Sequence, residues 1–572
     1  MKEARNKTER KSRGNWLTKS IVVVIAIVIA YAILKIAPNY KDEEIKDRIN
    51  VIINNNNITG SLKKDAYIDE NGNIYLSKQD VDNFFDHDII YDEKYNQIIT
   101  TNGKSVAALV VGKNEMEVNS SKIRTSAPVL EMNDTYYIPM SEMEDVYEIE
   151  IDYKESTNII TIDSTDRKQV KADASKNVSV KSRTKVLSRT VDKVKKGEKI
   201  ILINTLENGW AKIRTERGKI GYIQQKNIAN AIVVREDMDE PEKLEKVSMI
   251  WDYYSEYAVA PNRTGQKIDG VNVVSPTFFA LKRLGEGEII DKLGSEGLEY
   301  IEWAKTNDYK IWGLISNEGM IETTSQIMRD YRLREKTINK IVELAIKYNL
   351  DGINLDFENM YKEDINLFTR FVIELYPRLK QCGKTLSVNV TAPDGGDTWS
   401  LCYDRHNIAK NTDYIVFMAY DQYGDGSTKA GSTAAYDWAE VSLKKFVQRE
   451  EINNGKVILG IPFYTRIWRE YDDGSVKSSI VNMKNINNAI NQYFSGAQKT
   501  WDEDKKQYYI EKQASGFIYK MWIEDERSIE EKLNMAQEYK LGGVAFWVKD
   551  REDESIWKNI KDYLEKPIER EE

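Results

Sequence analysis

Leu350-Asp351-Gly352-Ile353-Asn354-Leu355-Asp356-Phe357-Glu358 decides how the rest of this chain is read. Ile353, Leu355 and Phe357 alternate with Asn354, Asp356 and Glu358. That period of two predicts a strand with one apolar and one polar face. Polar groups on a buried strand are costly unless they hydrogen-bond one another or a ligand. The strand ends in two carboxylates on the same face, so both are aimed at one point. Acid catalysis at a glycosidic bond needs that arrangement: one carboxyl kept protonated beside a charged one. Two blander readings stand beside it. Asp351, Asn354, Asp356 and Glu358 could ligate calcium, or the polar row could be purely structural. An EF-hand loop wants Gly at its sixth position and polar, turn-forming residues between its ligands, whereas Ile, Leu and Phe stand here.

Upstream, Ile338, Ile341, Val342, Ala345 and Ile346 form a stripe of period 3.6, which predicts an amphipathic helix leading into the strand. From Lys246 onward, strand signals alternate with helical ones. The strands are Val247–Trp251, Val271–Phe278, Lys310–Ser316, Gly352–Glu358, Thr385–Thr391, Tyr414–Tyr420, Lys456–Phe463 and Gly543–Trp547. Eight such units predict an α/β fold, a (β/α)8 TIM barrel over residues 246–565. The extra length at about 469–525 predicts a small α+β insertion, with Gln507–Ile510 and Gly516–Met521 as a strand pair.

The nonapeptide resembles the Asp-Gly-x-Asp-x-Asp-x-Glu signature of glycoside hydrolase family 18, which includes chitinases and bacterial spore-wall hydrolases. It matches at Asp351, Gly352, Asp356 and Glu358 and departs at Asn354, where many chitinases carry Asp. Met418-Ala419-Tyr420-Asp421 is similar to the family's Met-x-Tyr-Asp motif, and Trp547 to its strand-eight Trp, on which the sugar stacks. The resemblance implies Glu358 as general acid, Asp356 as partner of the substrate's acetamido N–H, and Tyr420 as the group holding the acetamido oxygen. In this family the substrate's own acetamido oxygen attacks carbon one, so no protein nucleophile is expected. Reactive groups of a TIM barrel gather at the C-terminal ends of strands. Asn354, Asn389, Met418, Asp421, Tyr423, Tyr464 and Trp547 are therefore the candidate substrate contacts. With Asn354 in place of Asp, Asp356 lacks a carboxylate to share a proton with. It is expected to stay ionised, with an acidic-to-neutral pH optimum. No metal and no cofactor is expected.

At 572 residues the chain predicts three or four domains. Net charge is −9, and the first nineteen residues carry seven Lys or Arg and two Glu, so the remainder carries −14. That argues against nucleic acid as a partner. His87 and His406 are the only histidines, and no Gly-x-Ser-x-Gly elbow occurs, which disfavours zinc proteases and serine hydrolases. Cys382 and Cys402 flank a predicted strand and are too far apart to bridge.

Residues 1–19 read as a basic cytoplasmic tail and 20–37 as a transmembrane signal anchor with everything after it outside; a cleaved signal peptide ending near Ala30-Tyr31-Ala32 is the rival. Residues 38–60, with Asn54 to Asn57, read as a spacer. Over 61–165 an internal repeat is present: Tyr75-Leu76-Ser77 and Asn96-Gln97-Ile98-Ile99-Thr100 echo Tyr137-Ile138-Pro139 and Thr157-Asn158-Ile159-Ile160-Thr161. Each half predicts a strand, a short helix and two strands. The segment resembles the copper amine oxidase N-terminal domain, though one His and no Cys make no credible copper site. Residues 168–232 predict a small SH3-like β-barrel. Gly209-Trp210-Ala211-Lys212-Ile213 and Gly218-Lys219-Ile220-Gly221-Tyr222-Ile223 resemble strands of bacterial SH3-like domains, a family that often binds cell-wall peptide. Trp210 and Tyr222 are expected in its core. The sequence thus points to a membrane-tethered, extracytoplasmic glycosidase acting on an N-acetylglucosamine-containing polysaccharide such as peptidoglycan. Chitin or an N-glycan core, and a non-catalytic wall-binding lectin, stay open as alternatives.

Overall fold

The structure is a computed structural model that describes residues 44–235, 245–255 and 260–567. The expected basic tail and transmembrane anchor lie outside the described residues. Among the described residues no helix is long and apolar enough to cross a membrane. Two compact units are present: residues 1–80 with 135–239, and 81–134 with 240–572.

In the first unit, Asn50–Ile53 pairs in parallel with Ile159–Ser164, which pairs antiparallel with Ile149–Lys154. Val51 and Ile52 are buried. Residues 50–57 are therefore part of a folded sheet and not the expected spacer. The Asn run is a tight hairpin: Asn54 and Asn55 both take positive φ, 47° and 64°. That is the backbone a two-residue turn requires, and Asn tolerates it. The internal repeat also has a physical basis. Asn96 and Asn158 both adopt left-handed φ, 48° and 55°. Each accepts a 2.9 Å hydrogen bond from a tyrosine hydroxyl five residues earlier, Tyr91 and Tyr153. The same turn with the same lock is thus built twice.

Residues 169–235 form a seven-stranded antiparallel sheet. Its core is Ala172, Val180, Val194, Ile200, Ala211, Ile213 and Ile223. Trp210 and Tyr222 are half-buried on the opposite side, which corrects the expectation of core positions. The alternation decides it: Ala211 and Ile213 take the inward face, so Trp210 and Lys212 face the other way.

The second unit holds the barrel. Its strands are β1 (Val247–Asp252), β2 (Val273–Pro276), β3 (Lys310–Ser316), β4 (Gly352–Asp356), β5 (Thr385–Val390), β6 (Tyr414–Met418), β7 (Val457–Pro462) and β8 (Gly543–Trp547). Each pairs in parallel with the next, and β8 closes on β1. Ile353, Leu355 and Phe357 face the helical shell, where Phe357 stacks 5.7 Å from Phe371. The alternate residues Asn354 and Asp356 face the barrel interior. A Cβ on Gly352 would lie 2.7 Å from the Thr385 carbonyl oxygen and from Trp312 Cδ1, so only glycine lets β4 close against its neighbours. Asp351 sits at the opposite end from the carboxylate pair, where its Oδ2 accepts from the Ile311 N–H at 2.8 Å.

Helices α1 (Tyr331–Lys347) and α2 (Ile365–Gln381) flank β4. An antiparallel meander over residues 90–124 packs on them, with Ile99, Val106 and Ala108 against Tyr331. Arg370 donates to the Asp88 carbonyl at 2.6 Å and to Glu374 at 2.8 Å, and Glu374 also accepts from Arg334 Nε and Nη2 at 3.1 and 3.0 Å. The insertion begins at Tyr464 instead of 469. It is a five-stranded sheet containing Gln507–Ala514 paired with Phe517–Ile523, plus the helix Ile486–Tyr493. Both cysteines are free.

Candidate active site

At the C-terminal end of the barrel lies a cleft of about 310 Å³. Asp356, Glu358, Asn389, Met418, Tyr420, Asp421 and Trp547 line it, brought together from β4, β5, β6 and β8. β4 ends at Asp356, so Glu358 stands on the loop beyond, and β6 ends at Met418, so Tyr420 and Asp421 also lie past their strand.

Three expected contacts lie elsewhere. Asn354 is 0% exposed. Its Oδ1 accepts from Trp251 Nε1 at 2.8 Å, and its Nδ2 donates to Ser387 Oγ at 2.8 Å and to Asn389 Oδ1 at 2.7 Å. It is a fully bonded interior residue beneath the cleft, because the strand's alternation turns it into the closed barrel. Tyr464 lies behind the cleft wall: its hydroxyl donates to Asp421 Oδ1 at 2.8 Å and its ring packs edge-on to Tyr420 at 6.5 Å. Tyr423 leaves the cleft wall and packs over Gly431, where a Cβ would lie 2.2 Å from the ring.

A polar relay rises through the barrel. Asn354 bonds Asn389, and Asn389 Nδ2 donates to Asp356 Oδ1 at 2.9 Å. Glu358 is fixed through its backbone: its N–H donates to Asn317 Oδ1 at 3.0 Å, and its carbonyl accepts from Asn317 Nδ2 at 2.7 Å. The preceding carbonyl, of Phe357, accepts from the Tyr403 hydroxyl at 2.7 Å. Among the described residues the Glu358 carboxyl itself has no hydrogen-bond partner.

Burial pushes the Asp356 carboxyl up to about 6; the Asn389 hydrogen bond opposes this and the Glu318 charge adds to it. Burial, then the charges of Asp356 and Asp421, hold Glu358 well above the usual carboxylate range. Asp356 therefore does not simply stay ionised. Burial supplies the upward shift that removing a carboxylate at 354 was expected to prevent. Asp421 is also raised by burial, against its bond from Tyr464. The result is an acid whose proton is held more tightly than usual beside a carboxyl raised to about 6.

Asn317, Glu318 and Trp399 line the cleft too and were not foreseen. Asn317-Glu318 directly follows Ser316, the predicted end of β3, so reading past each strand end would have found these two. Trp399 sits on the long loop after β5, where no periodicity marks it. Among the described residues no cluster of His, Cys, Asp and Glu could hold a metal ion.

The sequence profile of Glycosyl hydrolases family 18 matches residues 249–552. The chain belongs to family 18. A second profile, the Copper amine oxidase N-terminal domain, matches residues 52–162, and no SH3 domain was identified. Among family 18 relatives, the uncharacterized glycosylase YvbX of Bacillus subtilis (strain 168) is 28% identical over 308 residues, 51% of this chain and 84% of that protein. The cortical fragment-lytic enzyme of Bacillus anthracis is 24% identical over 237 residues, 40% of this chain and 52% of that enzyme. This chain thus spans about half the length of that relative. The crystal structure of the Bacillus megaterium QM B1551 spore cortex-lytic enzyme SleL aligns with a TM-score of 0.48 at 20% identity, covering 59% of this chain and 77% of that one.

Proposed function

We propose that this family 18 glycosidase is an extracytoplasmic, membrane-anchored enzyme that cleaves β-1,4 bonds after N-acetylglucosamine in peptidoglycan. The observation that carries the catalytic reading is the presence in one cleft of Glu358, whose carboxyl burial and neighbouring charges hold well above the usual range, and of Asp356 at the top of the polar relay. Glu358 donates its proton to the leaving glycosidic oxygen. The substrate's acetamido oxygen attacks carbon one from the opposite face, giving an oxazolinium ion. Asp356, ionised above about pH 6, accepts the acetamido N–H and offsets the charge developing there. Tyr420 aligns the acetamido oxygen. Glu358 then takes a proton from water, which opens the oxazolinium with net retention. Trp547 offers an apolar face to the sugar ring, and Asp421 and Asn389 offer hydrogen-bonding groups to its polar rim.

The similarity to a cortical fragment-lytic enzyme supports a peptidoglycan target, and so do the expected anchor and accessory modules. In this reading residues 169–235 serve as a wall-contact module. Proton NMR of the first-formed product tests the mechanism. The β-anomer is expected before mutarotation, and first formation of the α-anomer would overturn substrate-assisted catalysis.

A further inference from the structure

We infer that a groove in the first unit is a binding site for a short peptide carrying a free carboxylate and a free ammonium. The groove lies between two sheets of that unit and has a volume of about 290 Å³. One wall is the polar face of the paired strands Ile149–Lys154 and Ile159–Ser164, which presents Asp152, Thr161 and Asp163. Ile160 and Ile162 are buried on the other face. The second wall is the outer face of the seven-stranded sheet. Lys171, Ile201 and Arg214 stand in register there across three neighbouring strands. Ala172, Ile200 and Ile213 hold the inward face. Arg214 joins the two walls by donating to both carboxylate oxygens of Asp163.

Three polar side chains of the groove have no partner among the described residues. Gln169 is only 8% exposed, yet its carboxamide makes no hydrogen bond there. A carboxamide buried to that degree without a partner is costly. It offers a donor and an acceptor, the pair that a peptide unit also presents. Lys171 and Glu216 line the groove with their charges unpaired among the described residues. The other charged groups of the lining are engaged. Lys154 pairs with Asp152, Arg214 with Asp163, Arg235 with Glu150, and Lys199 with Asp173 at 2.6 Å.

This chemistry selects the occupant. A free ammonium on one side, a free carboxylate on the other and a carboxamide match a peptide zwitterion. Lys171 lies on the strand Gln169–Ala174, and Glu216 directly follows the strand Trp210–Thr215; Lys199–Thr205 runs between them. Two strand spacings put their backbones ~10 Å apart, the length of about three extended residues. Ile201, between them, offers an apolar surface to a small side chain. Among the described residues no aromatic side chain lines the groove, so a sugar ring finds no stacking face. A polyanion would meet Glu216 as a like charge. That the peptide is a branch of the wall polysaccharide rests on the function proposed above; the chemistry of the groove does not.

The test is calorimetric titration of the full chain in detergent. The probes are trialanine, its N-acetyl and C-amide forms, and peptides freed from purified peptidoglycan by an amidase. The expected result is saturable binding of the free peptides, weakened about 10-fold by either cap on trialanine. Glu216→Gln should weaken trialanine and leave the N-acetyl form unchanged. Lys171→Met should weaken trialanine and leave the C-amide form unchanged. Both side chains are exposed, so these variants keep the fold. Failure of the free peptides from both sources to bind overturns the proposal. So does binding that is unaltered in Lys171→Met/Glu216→Gln. Binding of the wall-derived peptides alone makes the site wall-specific, and equal binding of trialanine makes it a general peptide site. Hydrolysis of peptidoglycan by the same sample reports separately on the function. Hydrolysis without peptide binding removes this inference and leaves the function standing, and peptide binding without hydrolysis does the reverse.

Discussion

Asn317 brackets Glu358 as one strand brackets another: it accepts from the Glu358 N–H at 3.0 Å and donates to the Glu358 carbonyl at 2.7 Å. Glu358 lies beyond the last ladder bond of β4, so its backbone has no sheet to hold it there. A carboxamide is the side chain that offers an acceptor and a donor at that spacing. Asn317 is itself buried, and its Nδ2 also donates to Thr324 Oγ1 at 3.0 Å. It is a positioning residue for the general acid.

Asn317→Ala should lower kcat by about 10–100-fold while leaving KM nearly unchanged, since small misplacements of a catalytic group cost that much. Steady-state kinetics with an unaltered circular dichroism spectrum would show it. Equal loss in Asn317→Ala and in a variant that merely loosens the fold would assign Asn317 a purely structural part.

Asp356→Asn should inactivate the enzyme and stabilise it. The Asp356 carboxyl is raised to about 6, so between about pH 4 and pH 6 the folded chain holds a proton that the unfolded chain has released. The stability tied to this group is full below the unfolded value and lost as pH rises through the folded one. The variant keeps an acceptor for Asn389 without the buried charge. It should gain about 1–3 kcal/mol at neutral pH and lose that gain in acid, measured by denaturant unfolding across pH.

The same group sets the acid limb of activity near pH 6, because Asp356 must ionise while Glu358 stays protonated. Asn354→Asp places a further carboxyl below the relay, facing groups to which Asn354 now donates. The acid limb should move upward, and an unchanged profile would show that position 354 is not coupled to the pair.

Arg263 joins the seam of the barrel by donating to Asp252 of β1 at 2.7 and 2.8 Å and to Asp550, after β8, at 2.8 and 2.9 Å. The Arg263 and Asp252 side chains are 3% and 2% exposed. Arg263→Met leaves a buried carboxylate unpaired and should cost about 3–5 kcal/mol. Denaturant melts of Arg263→Met and of the double variant Arg263→Met/Asp252→Leu check this, with partial recovery expected in the second.

The barrel was legible because each strand carries its own local signal. Lys310–Ser316 and Gly543–Trp547 fall where the residue pattern puts them. The catalytic strand was read from Ile353, Leu355 and Phe357, whose alternation survives as one shell-facing row. Alternation fixes a face but not its depth, which is why Asn354, two residues below Asp356, looked like a site residue and is an interior one. Asn317 was missed because its role is a backbone clamp across two strands, a relation without sequence spacing. The Asn54 to Asn57 run looked like a spacer because composition does not distinguish a linker from a turn whose residues tolerate positive φ.

The most direct measurement is mass spectrometry of fragments released from purified vegetative and cortex peptidoglycan by soluble residues 41–572, beside Glu358→Gln. New reducing ends of N-acetylglucosamine, absent with the variant, are the expected result. Reducing ends of muramic acid, or equal release by Glu358→Gln, would contradict cleavage after N-acetylglucosamine with Glu358 as the acid.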